Sequence, residues 1–232
     1  MALPRYLAMT AAEMGGNSPL PPHFAYLSCH FSPSGAGLSN FPTRFPQQGI
    51  LIIDDSLPPR EHDPNLVTKQ LQFFLQEYPH TSILLDFQRP DDARTSAMAE
   101  AIVRALPCPV GVAAPYAAGL DCPVFLPPVP PSAPLSQHIA PWRGRVIWLE
   151  LALDGEIITV TKDGSHYTPL PPGDFPATTH QDTSLHCHYR TEVTEDQVRF
   201  SLYRKKEDLP ALLQEAEALG VQKTFGLYQE FE

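Results

Sequence analysis

Positive charge is scarce in this sequence: 16 Lys and Arg stand against 26 Asp and Glu, for a formal net charge of -10. A surface of that sign repels phosphate backbones and anionic headgroups, and the largest basic cluster, Arg204-Lys205-Lys206, is too small to make a local exception. No nucleic acid partner is expected. Long apolar runs are also missing, since none approaches the roughly 20 residues that cross a bilayer, and no membrane partner is expected either. Cysteine is sparse. The four thiols, Cys29, Cys108, Cys122 and Cys187, lie far apart with no C-x-x-C pair, which argues against a zinc or redox centre and for reduced, mostly buried thiols in a cytoplasmic protein. No cofactor is implied.

What is present is proline, 27 residues of it, most of it between the apolar segments, where it punctuates loops. Hydrophobic residues make up 43% of the chain and charged ones 18%, a globular composition. Met1 to Gly16 contains a short, broken apolar stretch followed by Glu13 and a Gly pair, which suits a leader to the fold better than a secretory signal. Residues 1–22 are therefore read as a leader and 23–232 as one domain.

From Phe24 to Phe31 the pattern is that of a strand. Gly49 to Asp55 and Ser82 to Phe87 are continuous apolar runs that end in carboxylates, as strands buried on both faces do. Between them Asp63-Pro64 supplies an N-cap and a proline for the first turn, and Val67, Leu71, Phe74, Leu75 and Tyr78 recur at helical spacing. The unit repeats, with Asp91 or Asp92 as cap, Met98, Ile102, Val103 and Leu106 as the buried stripe and Pro107 as the stop. Short strands follow at Pro109–Ala113 and Pro123–Leu126. Alternation of strand and helix favours parallel pairing, and the expected fold is α/β, a small and irregular (β/α) barrel of the TIM type. Its irregularity is an antiparallel hairpin excursion around residues 145–168. There Arg145–Ala152 reads as a strand, Asp154-Gly155 as a two-residue turn and Asp163-Gly164 as a second one. Leu185–Val193 and Gln197–Tyr203 read as paired strands, Asp208 caps a helix that ends at Gly220, and Thr224–Tyr228 is the last strand.

Parallel barrels place their chemistry at the carboxyl ends of the strands, so residues that end apolar runs are the candidates. His30, Asp54, Asp55, Asp86, Gln88, Tyr116 and Glu150 stand at or near such ends. A carboxylate there also serves as a helix cap or as a partner for a loop N–H.

The segment Tyr189 to Phe231 resembles the end of the chitinase-like, family-eighteen glycoside hydrolases. It carries Tyr189-Arg190-Thr191-Glu192-Val193, Val198-Arg199-Phe200-Ser201-Leu202-Tyr203, the helix from Asp208 to Gly220 and a closing Phe225-Gly226-Leu227-Tyr228. In that family a strand pair precedes a helix and a final barrel strand, commonly with an Asp after the Tyr; here Arg204 takes that place. The family signature is D-x-x-D-x-D-x-E, whose Glu protonates the glycosidic oxygen while the preceding Asp supports it and the substrate's acetamido group attacks. The run Thr81 to Gln88 is similar to it, with Asp86 matching the supporting Asp, Gln88 in place of the acid, and Leu84 and Thr81 in place of the earlier carboxylates. An amide has no proton to give at neutral pH, so the resemblance implies a barrel that has lost the standard mechanism.

Three readings follow. In the first, the protein is a pseudoenzyme that binds carbohydrate or another small molecule, with Trp148, Tyr116 and Phe87 stacking on sugar rings and Asp54, Asp55, Asp86, Gln88, His30 and Glu150 contacting hydroxyls. The same bulky aromatics also suit a barrel interior. In the second, Asp86 and Glu150 are the carboxylate pair of a working glycosidase. In the third, His186 and His188, at alternate strand positions, hold a metal with Asp182 or His180, although the expected state is no metal.

Overall fold

The computed structural model describes residues 3–16, 19–90, 92–177 and 179–231. Up to the seventh strand of the barrel, the elements are β1 (Arg5–Met9), α1 (Ala11–Gly16), β2 (Phe24–Phe31), β3 (Leu38–Ser39), β4 (Ile50–Asp54), α2 (Pro64–Glu77), β5 (Ser82–Asp86), α3 (Ala93–Ala105), β6 (Val110–Ala113), α4 (Ala114–Ala117), β7 (Val124–Leu126), α5 (Leu135–Ile139) and β8 (Ile147–Glu150). Five further strands, β9 (Gly155–Thr161), β10 (Gly164–Leu170), β11 (His180–Asp182), β12 (Cys187–Val193) and β13 (Gln197–Tyr203), precede α6 (Leu209–Ala218), β14 (Val221–Leu227) and α7 (Tyr228–Phe231). Eight parallel strands run in the order β1-β14-β8-β7-β6-β5-β4-β2, and pairing of β2 with β1 closes them into a TIM-type barrel, with β3 antiparallel on β2.

The helices form where the sequence supplies caps. Asp63 accepts the Asn65 N–H at 2.9 Å to start α2, and Asp92 accepts from Arg94 and Thr95, each at 3.0 Å, to start α3, contacts worth about 1 kcal/mol apiece. Asp91, the other candidate cap, lies outside the described residues. Gly220 ends α6 at φ 86°, a left-handed conformation that favours glycine.

Because strand side chains alternate, each barrel strand feeds two cores. Outward residues such as Leu51, Ile53, Ile83 and Leu85 pack with Val67, Leu71 and Phe74 of α2 and Met98 and Ile102 of α3. Inward residues, among them Tyr6, Ile50, Ile52, Leu84, Phe125, Trp148 and Phe225, fill the barrel. Full burial of each large apolar side chain contributes about 1.5–3 kcal/mol, which explains why the strands read as unbroken apolar runs. Trp148 lies against Gly111, where an added Cβ would sit 2.3 Å from the indole.

Two expectations change. Residues 5–9, assigned to the leader, are the barrel strand between β2 and β14: Tyr6 and Ala8 enter the interior while Leu7 and Met9 join the outer core. The antiparallel excursion is also larger and later than residues 145–168. Ile147–Glu150 is a parallel barrel strand, and Gly155 opens β9 rather than completing a turn. The excursion is a separate five-stranded sheet, ordered β10-β9-β13-β12-β11, inserted between the seventh and eighth barrel strands. Its first hairpin turns at residues 162–163, as the Thr161–Gly164 pairing shows.

Candidate active site at the carboxyl ends of the strands

Asp54 and Asp86 end β4 and β5 as neighbours in register, and Glu150 ends β8. Each continues the inward alternation of its strand, after Ile50 and Ile52, Ser82 and Leu84, and Trp148, so all three carboxylates rise from the apolar interior at its mouth. Gln88 is exposed two residues beyond Asp86, and its Nε2 donates to Asp86 Oδ1. A carboxylate can only accept, which orients the amide with its nitrogen toward Asp86. Asp54 Oδ1 accepts the Ser56 N–H at 2.8 Å.

Burial raises the Asp86 carboxyl above the usual carboxylate range; the Gln88 bond lowers it, and the charges of Asp55 and Asp54 add to the rise. Glu150 is pushed up to about 7, first by burial and then by the charges of Asp86, Glu230 and Asp154. Among the described residues neither Asp86 nor Glu150 has an ion pair with Lys, Arg or His. Glu150, which feels the charge of Asp86, is thus partly protonated near neutral pH. Such a group can give or take a proton.

Next to Gln88 a cavity of about 320 Å³ is lined by Ala113, Ala114, Pro115, Phe125, Pro127 and Trp142. Trp142 and Phe125 escaped the sequence reading, because Trp142 ends no apolar run; its one signal was rarity, as one of two tryptophans. Asp154 and Glu230 were missed as well. They follow β8 and β14, and Glu230 Oε2 accepts the Leu153 N–H at 3.1 Å, which ties the last turn of the chain to the exit of β8.

The other candidates are dispersed. His30 sits beside Asp54 in register at the end of β2, with its Nε2 3.4 Å from Asn40 Nδ2. Asp55 is buried and faces the loop after β5. Three aromatic platforms are overturned by burial: Trp148 is 1% exposed under Phe225 and Lys223, Phe87 is 0% exposed between Phe31 and Tyr116, and Tyr116 is 3% exposed with its hydroxyl bound to the Arg89 and Pro90 carbonyls. Trp148 fills the barrel interior, where a closed barrel needs bulky side chains, while Phe87 and Tyr116 belong to the outer core and support the loop after β5.

The histidine constellation comes apart too. His186 precedes β12 in a left-handed conformation, φ 50°, and so does not share a strand face with His188. His186 Nε2 lies 2.8 Å from Glu215, His188 Nε2 lies 3.0 Å from Glu207, Asp182 accepts from Ser184 and Leu185, and His180 packs on Tyr189. Among the described residues no group of three His, Cys, Asp or Glu is placed to hold a metal ion.

No protein-family model matches the chain, and no curated protein matches it in sequence. Solved structures do. A chitinase from Chromobacterium violaceum superposes with TM-score 0.61 at 10% identity, covering 100% of this chain and 96% of its own. A glycoside hydrolase family 18 N-acetylglucosaminidase from Paenibacillus barengoltzii gives 0.61 at 9% identity, covering 97% and 94%. A family 18 chitinase from Cycas revoluta, a mutant with a Glu-to-Gln exchange in complex with (GlcNAc)4, gives 0.58 at 13% identity, covering 97% and 94%. The class is therefore a TIM-type barrel similar in fold to the glycoside hydrolases. In particular, it resembles the barrels of family 18 chitinases, at identities that establish the fold alone.

Proposed function

We propose that this protein binds carbohydrate at the mouth of a glycoside-hydrolase-like barrel and lacks the standard catalytic acid. The observation that carries the reading is the Gln88 amide, exposed at the mouth and hydrogen-bonded to Asp86, where the signature it resembles has a protonated Glu. A neutral amide keeps the hydrogen-bonding shape of that group without its proton. The complex of (GlcNAc)4 with a Glu-to-Gln mutant chitinase of the same fold supports oligosaccharides of N-acetylglucosamine as the ligand class to try first. Trp142, half-buried and lining the cavity beside Gln88, replaces the buried aromatics as the stacking candidate. Asp54 and His30 lie along the same rim. The net charge of -10 opposes nucleic acid, no helix among the described residues is long and apolar enough to cross a membrane, and the four free thiols support a reducing, cytoplasmic setting.

Calorimetric titration with (GlcNAc)4 tests the reading. Wild type should bind, and Asp86→Ala should weaken the affinity about tenfold or more, the loss of a charge-assisted hydrogen bond; an unchanged affinity removes Asp86 from the site. Gln88→Glu should restore some hydrolysis of an aryl N-acetylglucosaminide.

One observation favours a second reading, a working hydrolase. Glu150, held at about 7 and coupled to Asp86, is suited to protonate a leaving oxygen while ionised Asp86 acts as nucleophile or base. Turnover of the aryl glycoside by wild type that is lost in Glu150→Gln would establish it; turnover that survives Glu150→Gln would eliminate it.

A further inference from the structure

Asp55 stands one residue beyond β4, is 4% exposed, and presents its carboxylate to the loop that follows β5. Its two oxygens accept from two successive backbone groups: Oδ1 from the Gln88 N–H at 3.0 Å and Oδ2 from the Arg89 N–H at 2.8 Å. Arg89 returns the contact, with Nε donating to the Asp55 carbonyl at 2.6 Å and a terminal nitrogen to the Ser56 carbonyl at 2.5 Å. From α4, the Tyr116 hydroxyl donates to the carbonyls of Arg89 and Pro90 at 2.9 and 3.1 Å. Phe87, fully buried, wedges between the rings of Phe31 and Tyr116. Every residue from Asp86 to Pro90 therefore has a fixed partner, and the one that sets the backbone of Gln88 is the Asp55 carboxylate.

The chemistry at that point is exacting. A carboxylate facing two N–H donors makes two charge-assisted bonds. An asparagine of the same shape offers one acceptor and turns its own N–H₂ against the second donor. We infer that Asp55 is the positioning residue of the mouth: by holding the Gln88 and Arg89 backbone, it keeps the Gln88 amide on Asp86. This rests on the reading of Asp86 and Gln88 as the ligand site. Asp55 acts only through Gln88 and touches no ligand.

The test reads the Gln88 side chain directly, without ligand. In a ¹⁵N–¹H correlation spectrum of the full chain, with the Gln88 side-chain pair assigned by its absence in Gln88→Ala, one Nε2 proton should lie downfield and titrate with Asp86. Asp55→Asn should abolish both features. Tyr116→Phe, which loosens the same loop but leaves the Asp55 carboxylate in place, should keep both. Retention of the titrating signal in Asp55→Asn overturns the inference; so does its loss in Tyr116→Phe, because general fastening of the loop would then explain it. Should Asp55→Asn fail to fold, wild type decides. The backbone amides of Gln88 and Arg89 should exchange with solvent at least tenfold more slowly than in an unstructured peptide, and unprotected exchange overturns the assignment. Titration with (GlcNAc)4 separates the two levels. Wild type that shows the Gln88 pattern yet binds no tetrasaccharide refutes the carbohydrate reading and leaves Asp55 in its role.

Discussion

Replacing Glu150 with Gln should make the protein more stable, by an amount that grows from almost nothing below about pH 4.5 to its full value above about pH 7. The fold raises this carboxyl from an ordinary value of 4.5 to about 7, chiefly by burial, with Asp86, Glu230 and Asp154 adding repulsion. The ionised form is therefore the one that the native state disfavours. The folded protein holds the proton more tightly than the unfolded chain does, so stability falls as pH rises from about 4.5 to about 7 and stays reduced above that window. At about 1.4 kcal/mol per pH unit across the window, the charge costs the native state roughly 3 kcal/mol at pH 8 and almost nothing at pH 4. An amide in this position cannot ionise, so Glu150→Gln should gain roughly that amount at pH 8, or about 6–12 °C in Tm for a domain of this size, and nearly none at pH 4. Urea denaturation of both proteins at the two pH values measures it. A gain that is equal at both, or a loss at pH 8, would refute the assignment of Glu150 to a buried, like-charged site. Natural retention of a carboxylate that destabilises its own fold is what a functional role at the mouth would require.

Two further outcomes bear on the scaffold. Gly111→Ala should destabilise by about 1–3 kcal/mol through overpacking, since its Cβ would meet the Trp148 ring at 2.3 Å, and Trp148→Ala by about 3–5 kcal/mol. In the double variant the added methyl enters the space the indole leaves, so thermal denaturation should show a loss well below the sum; strict additivity would mean the two do not share the interior. His62, 8% exposed, accepts the Gly37 N–H at Nδ1 at 3.2 Å, and burial holds its pKa below the ordinary 6.5. The neutral ring is the native form, so its contribution to stability is present above 6.5 and lost as pH falls below it. The urea midpoint of wild type relative to His62→Gln should drop as pH falls below the ordinary 6.5; a constant difference would show that the bond to Gly37 needs no neutral imidazole.

Much of the barrel was legible because its signals are local. Runs such as Ile50–Asp54 and Ser82–Asp86 are apolar on both faces only if both faces are covered, and the caps Asp63 and Asp92 mark the helices that cover them. The same continuity showed which residues close each strand, so Asp54, Asp86 and Glu150 could be picked out together with Gln88 two positions on. The choice between stacking and core roles for Trp148 and Phe87 stayed open for a reason of the same kind: alternation tells which side of a strand a ring occupies, not whether water or another ring fills the space beyond it. Tyr116, on α4, lies outside any strand pattern.

By itself, then, the sequence determined the strand-helix alternation and the chemical character of the strand ends, both being properties of covalently adjacent residues. Only the tertiary structure decided that Arg5–Met9 closes the barrel against Thr224–Leu227, that Glu150 comes within electrostatic reach of Asp86, that His186 and His188 part to different carboxylates, and that five strands leave the barrel as their own sheet. Each of these rests on pairings between residues far apart in the chain, and hydrophobic periodicity specifies the face that must be buried without naming the surface that buries it.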